Sequence, residues 1–312
     1  MGNITPWIIL ISYVLVLLLI DFFILHKKNR DTSVRRAIFE TIFFIVNALI
    51  FSGFIYWFYN ISLVDNVNNL EPAQAVVKYL TGYIIELSLS VDNLFVIAII
   101  FTSFKIPRQY QHNLLFLGIL GAIVFRAILI SVGLILINRV HGMNIVFGLF
   151  LLFTALKMLK KEAEHKEVKE PKGIIKLFRF SNELHDGKYI TKVNGKTVFT
   201  ALFGALITIE LTDLLFALDS IPAIFAVTTD PFIVFSSNIF AVMGLRSLYF
   251  FLSNMLEKFV YLKYSVFAIL LFVSLKLMTA SLIEIPEWFS LLFIGISLLS
   301  GIYISTINIK NK

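Results

Sequence analysis

Apolar residues in this chain run in long blocks separated by short charged stretches, without the strict alternation of a half-buried strand. Nine such blocks stand out: Trp7 to Leu25, Ile38 to Tyr59, Tyr79 to Phe104, Leu114 to Ile137, Asn144 to Leu159, Val198 to Val227, Phe232 to Leu252, Val260 to Leu282 and Trp288 to Ile307. A helix of roughly 20 residues crosses the hydrocarbon core of a bilayer with all its backbone polar groups satisfied internally. The pattern predicts an all-α polytopic membrane protein with nine transmembrane helices. Pro222 in the sixth block predicts a kink or break there and a freed carbonyl beside Asp219.

Composition agrees with the pattern. Of 312 residues, 58% are hydrophobic and 15% charged, where a soluble domain has about a quarter charged. There is no cysteine, which excludes disulfides, thiolate metal sites and thiol chemistry by the chain itself. The net charge of +7 reads as basic loops held at an anionic leaflet rather than as a nucleic-acid surface. The first block lacks a basic leader and a small-residue cleavage site, so it is expected to stay as a helix.

Loop charges set the orientation. Lys27, Lys28, Arg30, Arg35 and Arg36 precede the second block, Lys105 and Arg108 the fourth, and a densely basic segment the sixth. The intervening loops carry Asp65, Glu71, Asp230, Glu284 and Glu287 with few basic residues. By the positive-inside rule the N-terminus lies outside and the C-terminus in the cytoplasm. Only the 160–197 loop is long enough to hold structure of its own. Its first part is a charge run, and Y-I-T-K-V-N-G-K-T-V-F-T alternates around Asn194-Gly195, a dipeptide suited to a type I′ turn. A small cytoplasmic β-hairpin is expected there.

Three features recur in the same order. Glu86 precedes Asp92 by six residues in the third block, as Asp213 precedes Asp219 in the sixth. Arg126 in F-R-A-I-L-I matches Arg246 in L-R-S-L-Y-F, and L-L-F-T-A-L-K-M-L from Leu151 matches L-L-F-V-S-L-K-L-M from Leu270. Two units of three helices enter the bilayer from opposite sides. That makes spans 3–5 and 6–8 a 3+3 inverted-topology repeat, an architecture that places a binding site near the midplane. The chain then divides into 1–78 (two N-terminal helices), 79–159 (first repeat), 160–197 (basic loop), 198–282 (inverted second repeat) and 283–312 (a C-terminal helix).

Five carboxylates fall inside these spans as counted from the motifs: Glu86, Asp92, Glu210, Asp213 and Asp219. Each costs at least about 2.5 kcal/mol at a helix centre, so intramembrane acids imply function. Arg126, Arg246 and Lys276 are the balancing cations, which leaves two negative charges for one divalent cation or two protons. Asp92 is followed by Asn93 and Asp219 by Ser220, which together make a hard-oxygen donor set suited to manganese, calcium or magnesium. No histidine lies deep in a block, which ranks zinc and copper lower. Residues six apart sit about 120° apart on a helix, so the pairs form either two sites along a path or one site with local unwinding. The competing structural reading is a set of salt bridges with Arg126 and Arg246 that only fixes helix packing. No H-E-x-x-H, G-x-S-x-G or comparable catalytic pattern is present, so the chain is not expected to be an enzyme.

At these residues the sequence resembles the TerC family, named for tellurium resistance, and in particular its nine-helix Alx-type branch. The stretches E-L-S-L-S-V-D-N-L-F-V from Glu86 and E-L-T-D-L-L-F-A-L-D-S-I-P-A-I-F-A from Glu210 look like the family's two acidic signatures. Y-Q-H-N-L-L-F-L-G-I-L-G-A-I-V-F-R and T-D-P-F-I-V-F-S-S-N-I-F-A-V-M-G-L-R-S-L-Y-F are similar too. The resemblance implies an inner-membrane manganese exporter whose function rests on Glu86, Asp92, Glu210, Asp213 and Asp219. It does not extend a function to the first two helices or the last. The expectation is alternating-access export of manganese with Asp92 and Asp219 at the centre, exchanged against protons, and no resident cofactor. Calcium or another divalent cation is the alternative cargo. A membrane scaffold or metallation and insertion factor is the alternative without transport.

Overall fold

A computed structural model of the chain describes residues 3–25, 34–66, 68–140, 142–160, 187–193, 196–252, 262–279 and 285–310. Within these helices the side chains of Asp92 and Lys157 lie outside the description, as do most of the charged run of the 160–197 loop and the Asn194-Gly195 turn.

The helices are α1 (Thr5–Ile20), continued by a π-helical turn (Asp21–Leu25), α2 (Val34–Asn60), α3 (Pro72–Ser103), α4 (Arg108–Arg139), α5 (Met143–Lys160), α6 (Ala201–Phe225), α7 (Pro231–Leu252), α8 (Leu262–Thr279) and α9 (Glu287–Lys310). Their starts follow the usual signals. Pro72 and Pro231 supply a fixed φ and no superfluous N–H at the first helical position. The Glu71 amide donates to Gln74 Oε1 at 3.2 Å. Asp230 Oδ1 accepts from the amides of Phe232 and Ile233 at 3.0 and 3.2 Å, satisfying two of the donors a helix start leaves open.

Among the described residues, six stretches are long and apolar enough to cross a membrane: Thr5–Phe23, Arg35–Asn60, Arg108–Ile137, Ala201–Phe225, Pro231–Phe250 and Trp288–Ile307. Shorter apolar stretches occupy Met143–Leu156 and Tyr264–Thr279. Exposed Ile8, Leu15, Val124, Ile128, Val132 and Leu299 give the outer helices an apolar exterior, as expected where the solvent is lipid.

The expected hairpin is present, with β1 (Ile190–Val193) and β2 (Lys196–Phe199) pairing antiparallel so that Ile190 faces Phe199 and Val193 faces Lys196. Because Lys196–Phe199 is strand, the sixth helix begins at Ala201 rather than Val198. Pro222 does not end it. Proline sits in the last turn, where the helix has only to reach Phe225, so little hydrogen bonding is lost.

α3 is the central helix and packs on α2, α6, α7 and α9. α4 packs on α6 and α7, α5 lies along α8, and α8 also meets α9. α2 and α7 meet through a cluster of rings, with Phe51 and Phe240 at 4.6 Å and Tyr79 and Tyr13 beside them. The layer of α3, α4, α6 and α7 carries the buried Glu86, Arg126 and Asp213.

Candidate functional site: a shared arginine in a buried acidic layer

Glu86 on α3, Arg126 on α4 and Asp213 on α6 are all nearly solvent-free and meet at one point. Arg126 uses its planar fork on both acids. Its Nη2 and Nε donate to Asp213 Oδ1 and Oδ2 at 3.0 and 3.2 Å, a bidentate pair. Its Nη1 donates to Glu86 Oε1 and, at 3.1 Å, to Asn238 Oδ1 of α7. Asn238 returns a bond from Nδ2 to Glu86 Oε2 at 3.1 Å, and Ser90 Oγ donates to Glu86 Oε1 at 3.0 Å. Asn93 Nδ2 donates to Asp213 Oδ1 at 2.9 Å. Four helices are thus tied by two carboxylates that share a single guanidinium.

One oxygen is left over. Asn93 Oδ1 is buried and accepts no hydrogen bond from the described residues. Asn93 and Asp213 line a pocket of about 30 Å³, room enough for a water molecule, whose other walls are mainly Leu94, Ile97, Ile119 and Val242, with Arg246 among the lining.

The remaining acids stand apart. Asp219 is half-buried and accepts from Thr154 Oγ1 of α5 at 3.2 Å. Glu210 lies against Gly121 of α4, so that a Cβ there would overlap its carboxyl group, and its Oε2 is buried without a described partner. Gly121 is therefore a close helix contact of a specific kind: it makes room for a carboxylate. Ser220 Oγ is also buried without a described partner. Asp92 lies one helical step before Asn93 on α3. Among the described residues no three histidine, aspartate or glutamate side chains converge on a metal-sized space.

The balancing cations divide as well. Among the described residues, Arg126 alone pairs with the central acids Glu86 and Asp213. Arg246 Nη2 donates to Asp21 Oδ1 in the π-helical turn, and Lys276 Nζ donates to Ser290 Oγ of α9 at 3.0 Å.

Three further buried polar residues lie outside the recurring motifs: Asp21, Glu40 and Asn238. Asp21 and Glu40 lie within the first two apolar blocks and are both almost completely buried, so the five-acid tally is short by two. Asn238 completes the central layer. For Asn238 the available signal was a polar residue well inside an apolar block, and for Asp21 and Glu40 an acid near the end of one.

Known proteins place the chain. The model of the TerC family of integral membrane proteins matches residues 71–312. A Rickettsia felis protein described as an uncharacterized membrane protein is 40% identical over 304 residues, covering 96% of this chain and 97% of the relative. A Myxococcus xanthus membrane protein, STKORF319, is 40% identical over 289 residues, covering 91% and 86%. A Salmonella typhi protein with the provisional designation membrane-bound redox modulator Alx is 38% identical over 282 residues, covering 89% and 86%. No solved structure matches the chain significantly. The matched region contains the whole Glu86–Arg126–Asp213 layer, and the chain belongs to the TerC family of integral membrane proteins.

Proposed function

We propose that this protein exports a divalent metal cation, manganese first among the candidates, across the bacterial inner membrane by alternating access. The observation that carries the reading is the sharing of one arginine by Glu86 and Asp213 in a dry layer. A buried acid pair with half its counter-charge is a poor structural device, since each unpaired charge costs several kcal/mol. It is a good receptor for a cation that displaces Arg126. Asp213 and the unpartnered Asn93 Oδ1 supply hard oxygens beside a pocket large enough for one dehydrated ion. Glu86 follows when the guanidinium leaves, and Asp92, Glu210 and Asp219 with Ser220 lie on the approach. The geometry thus favours Glu86 and Asp213 as the centre over Asp92 and Asp219. The emptied carboxylates take up protons, which makes the cycle an exchange.

Helix packing supports the inverted repeat that alternating access requires. Matching α3, α4 and α5 to α6, α7 and α8 turns the α3–α7 contact into the α6–α4 contact, and both are extensive. The α3–α6 and α5–α8 contacts map onto themselves. Nine spans, with the N-terminus outside, put the 160–197 loop and its hairpin in the cytoplasm.

The designation of the Salmonella typhi relative suggests a redox role. Without cysteine, this chain has no thiol to exchange, and on the transport reading a change in metal level is the route by which it affects redox state. The test is manganese flux by purified protein in proteoliposomes, with calcium and magnesium as competitors. Glu86→Gln and Asp213→Asn should each reduce flux by at least an order of magnitude. Flux by Asp213→Asn equal to that of the parent would sink the reading, and no flux by the parent would favour the scaffold or metallation factor.

A further inference from the structure

A second buried cluster repeats the central theme at another depth. Arg246, 1% exposed, is the repeat counterpart of Arg126 and is bonded to Asp21, 2% exposed. Glu40, 1% exposed, lies within electrostatic reach of both. Its Oε1 accepts from Arg36 Nε at 3.0 Å, and the Arg36 side chain is 38% exposed. The cluster is not satisfied. Glu40 Oε2 and Arg246 Nε and Nη1 are all buried without a described hydrogen-bond partner.

Its position gives this meaning. Arg246 lines the same pocket as Asp213 and Asn93. On α7 it lies eight residues beyond Asn238, about 12 Å along the helix from the central layer. Arg36 and Glu40 lie in the first turns of α2, directly after the first basic loop, and Asp21 opens the π-helical turn between α1 and that loop. The order from that face inward is therefore Arg36, Glu40 with Asp21, Arg246, the pocket, then Asn93 and Asp213. Asp21 sits in a π-helical turn, an irregularity common at functional positions.

We propose that Asp21 and Glu40 are the cytoplasmic docking acids for the divalent cation and that Arg246, held by Asp21, closes the passage from them to the central pocket. The two N-terminal helices, outside the matched family region, then contribute directly to the pathway. The direction of passage rests on the transport reading above; the closure does not.

The absence of native cysteine allows a direct test with the full chain. Ala122 lines the pocket. In an Ala122→Cys background, a membrane-impermeant methanethiosulfonate applied from the cytoplasmic face should react slowly. Asp21→Asn should raise that rate at least about tenfold, the shift expected for loss of one buried charge-assisted hydrogen bond. Asp21→Glu should stay near the parent rate, and Arg246→Lys, which loses the fork, should react fast. Monodisperse elution and thermal unfolding check that each variant is folded; if Asp21→Asn fails them, Arg246→Lys carries the test. In manganese flux, Glu40→Gln should raise KM several-fold with a smaller change in maximal rate. Unchanged labelling in folded variants overturns the gate, even if the parent transports. Raised labelling in a protein that moves no manganese supports the gate and removes the transport reading. Unchanged KM in Glu40→Gln overturns the docking role.

Discussion

Removing Arg126 is the sharpest perturbation available. Its guanidinium makes the bidentate pair with Asp213, one bond to Glu86 and one to Asn238, all in a layer almost free of solvent. Arg126→Gln strands two carboxylates together without a counter-ion. Breaking a buried pair from one side costs about 3–5 kcal/mol, because the orphaned charge stays behind. The expected loss is at the upper end, since two acids are orphaned by one change. Arg126→Gln, Glu86→Gln and Asp213→Asn combined leave a neutral amide network of similar volume, and removing a whole charged group together is often near neutral. The triple variant should therefore be more stable than Arg126→Gln alone, despite carrying two further substitutions. Denaturant unfolding in detergent, followed by circular dichroism or Trp fluorescence, measures both. The reasoning fails if Arg126→Gln falls within about 1 kcal/mol of the parent, the range of an exposed pair, or if the triple variant is no better than the single one.

Two further outcomes follow from named contacts. Gly121→Ala forces the Glu210 carboxyl group to move, but the displaced atoms are the end of a flexible side chain, and alanine gains about 1 kcal/mol of helix propensity. Stability should stay near the parent while manganese flux falls towards that of Glu210→Gln; a large stability loss with normal flux would refute it. Asp230, outside the membrane stretches, has its pKa raised above the usual 3.8, chiefly by burial, against the opposing pull of the Tyr59 hydroxyl, the amides it caps and Lys78. A raised folded value stabilises below the unfolded pKa and is lost as pH rises through the folded one. The parent should therefore gain stability relative to Asp230→Asn as pH falls toward 3.8, and thermal unfolding of both across that range would show an unchanging difference if the argument is wrong.

The helices were legible because apolar blocks of spanning length admit few other structures, and the hairpin because Asn194-Gly195 interrupts an alternating run. Helix ends were less so: strand β2 took residues that apolar content assigned to α6, and α3 extends back to Pro72 through Gln74 and Lys78. Glu86, Asp213 and Arg126 were legible as charges in lipid, but their convergence was not. It depends on which helix faces which, and partners 40 and 87 residues apart leave no local trace. Asp21 escaped notice for a related reason. Its partner Arg246 is 225 residues away, so in sequence it looks like the polar end of an apolar run.

The hairpin has a mechanical consequence. Thr200 Oγ1 donates to the Lys188 carbonyl at 2.7 Å, fastening the hairpin base to the start of α6. Gly187, at φ +82°, lies so close to the Tyr110 ring of α4 that an added Cβ would come within 2.6 Å of it. One clasp thus grips the first turns of both α4 and α6, the helices that carry Arg126 and Asp213. Those two must swing as one lever, and a ligand that tugs on the basic loop pulls the arginine and its aspartate together rather than apart.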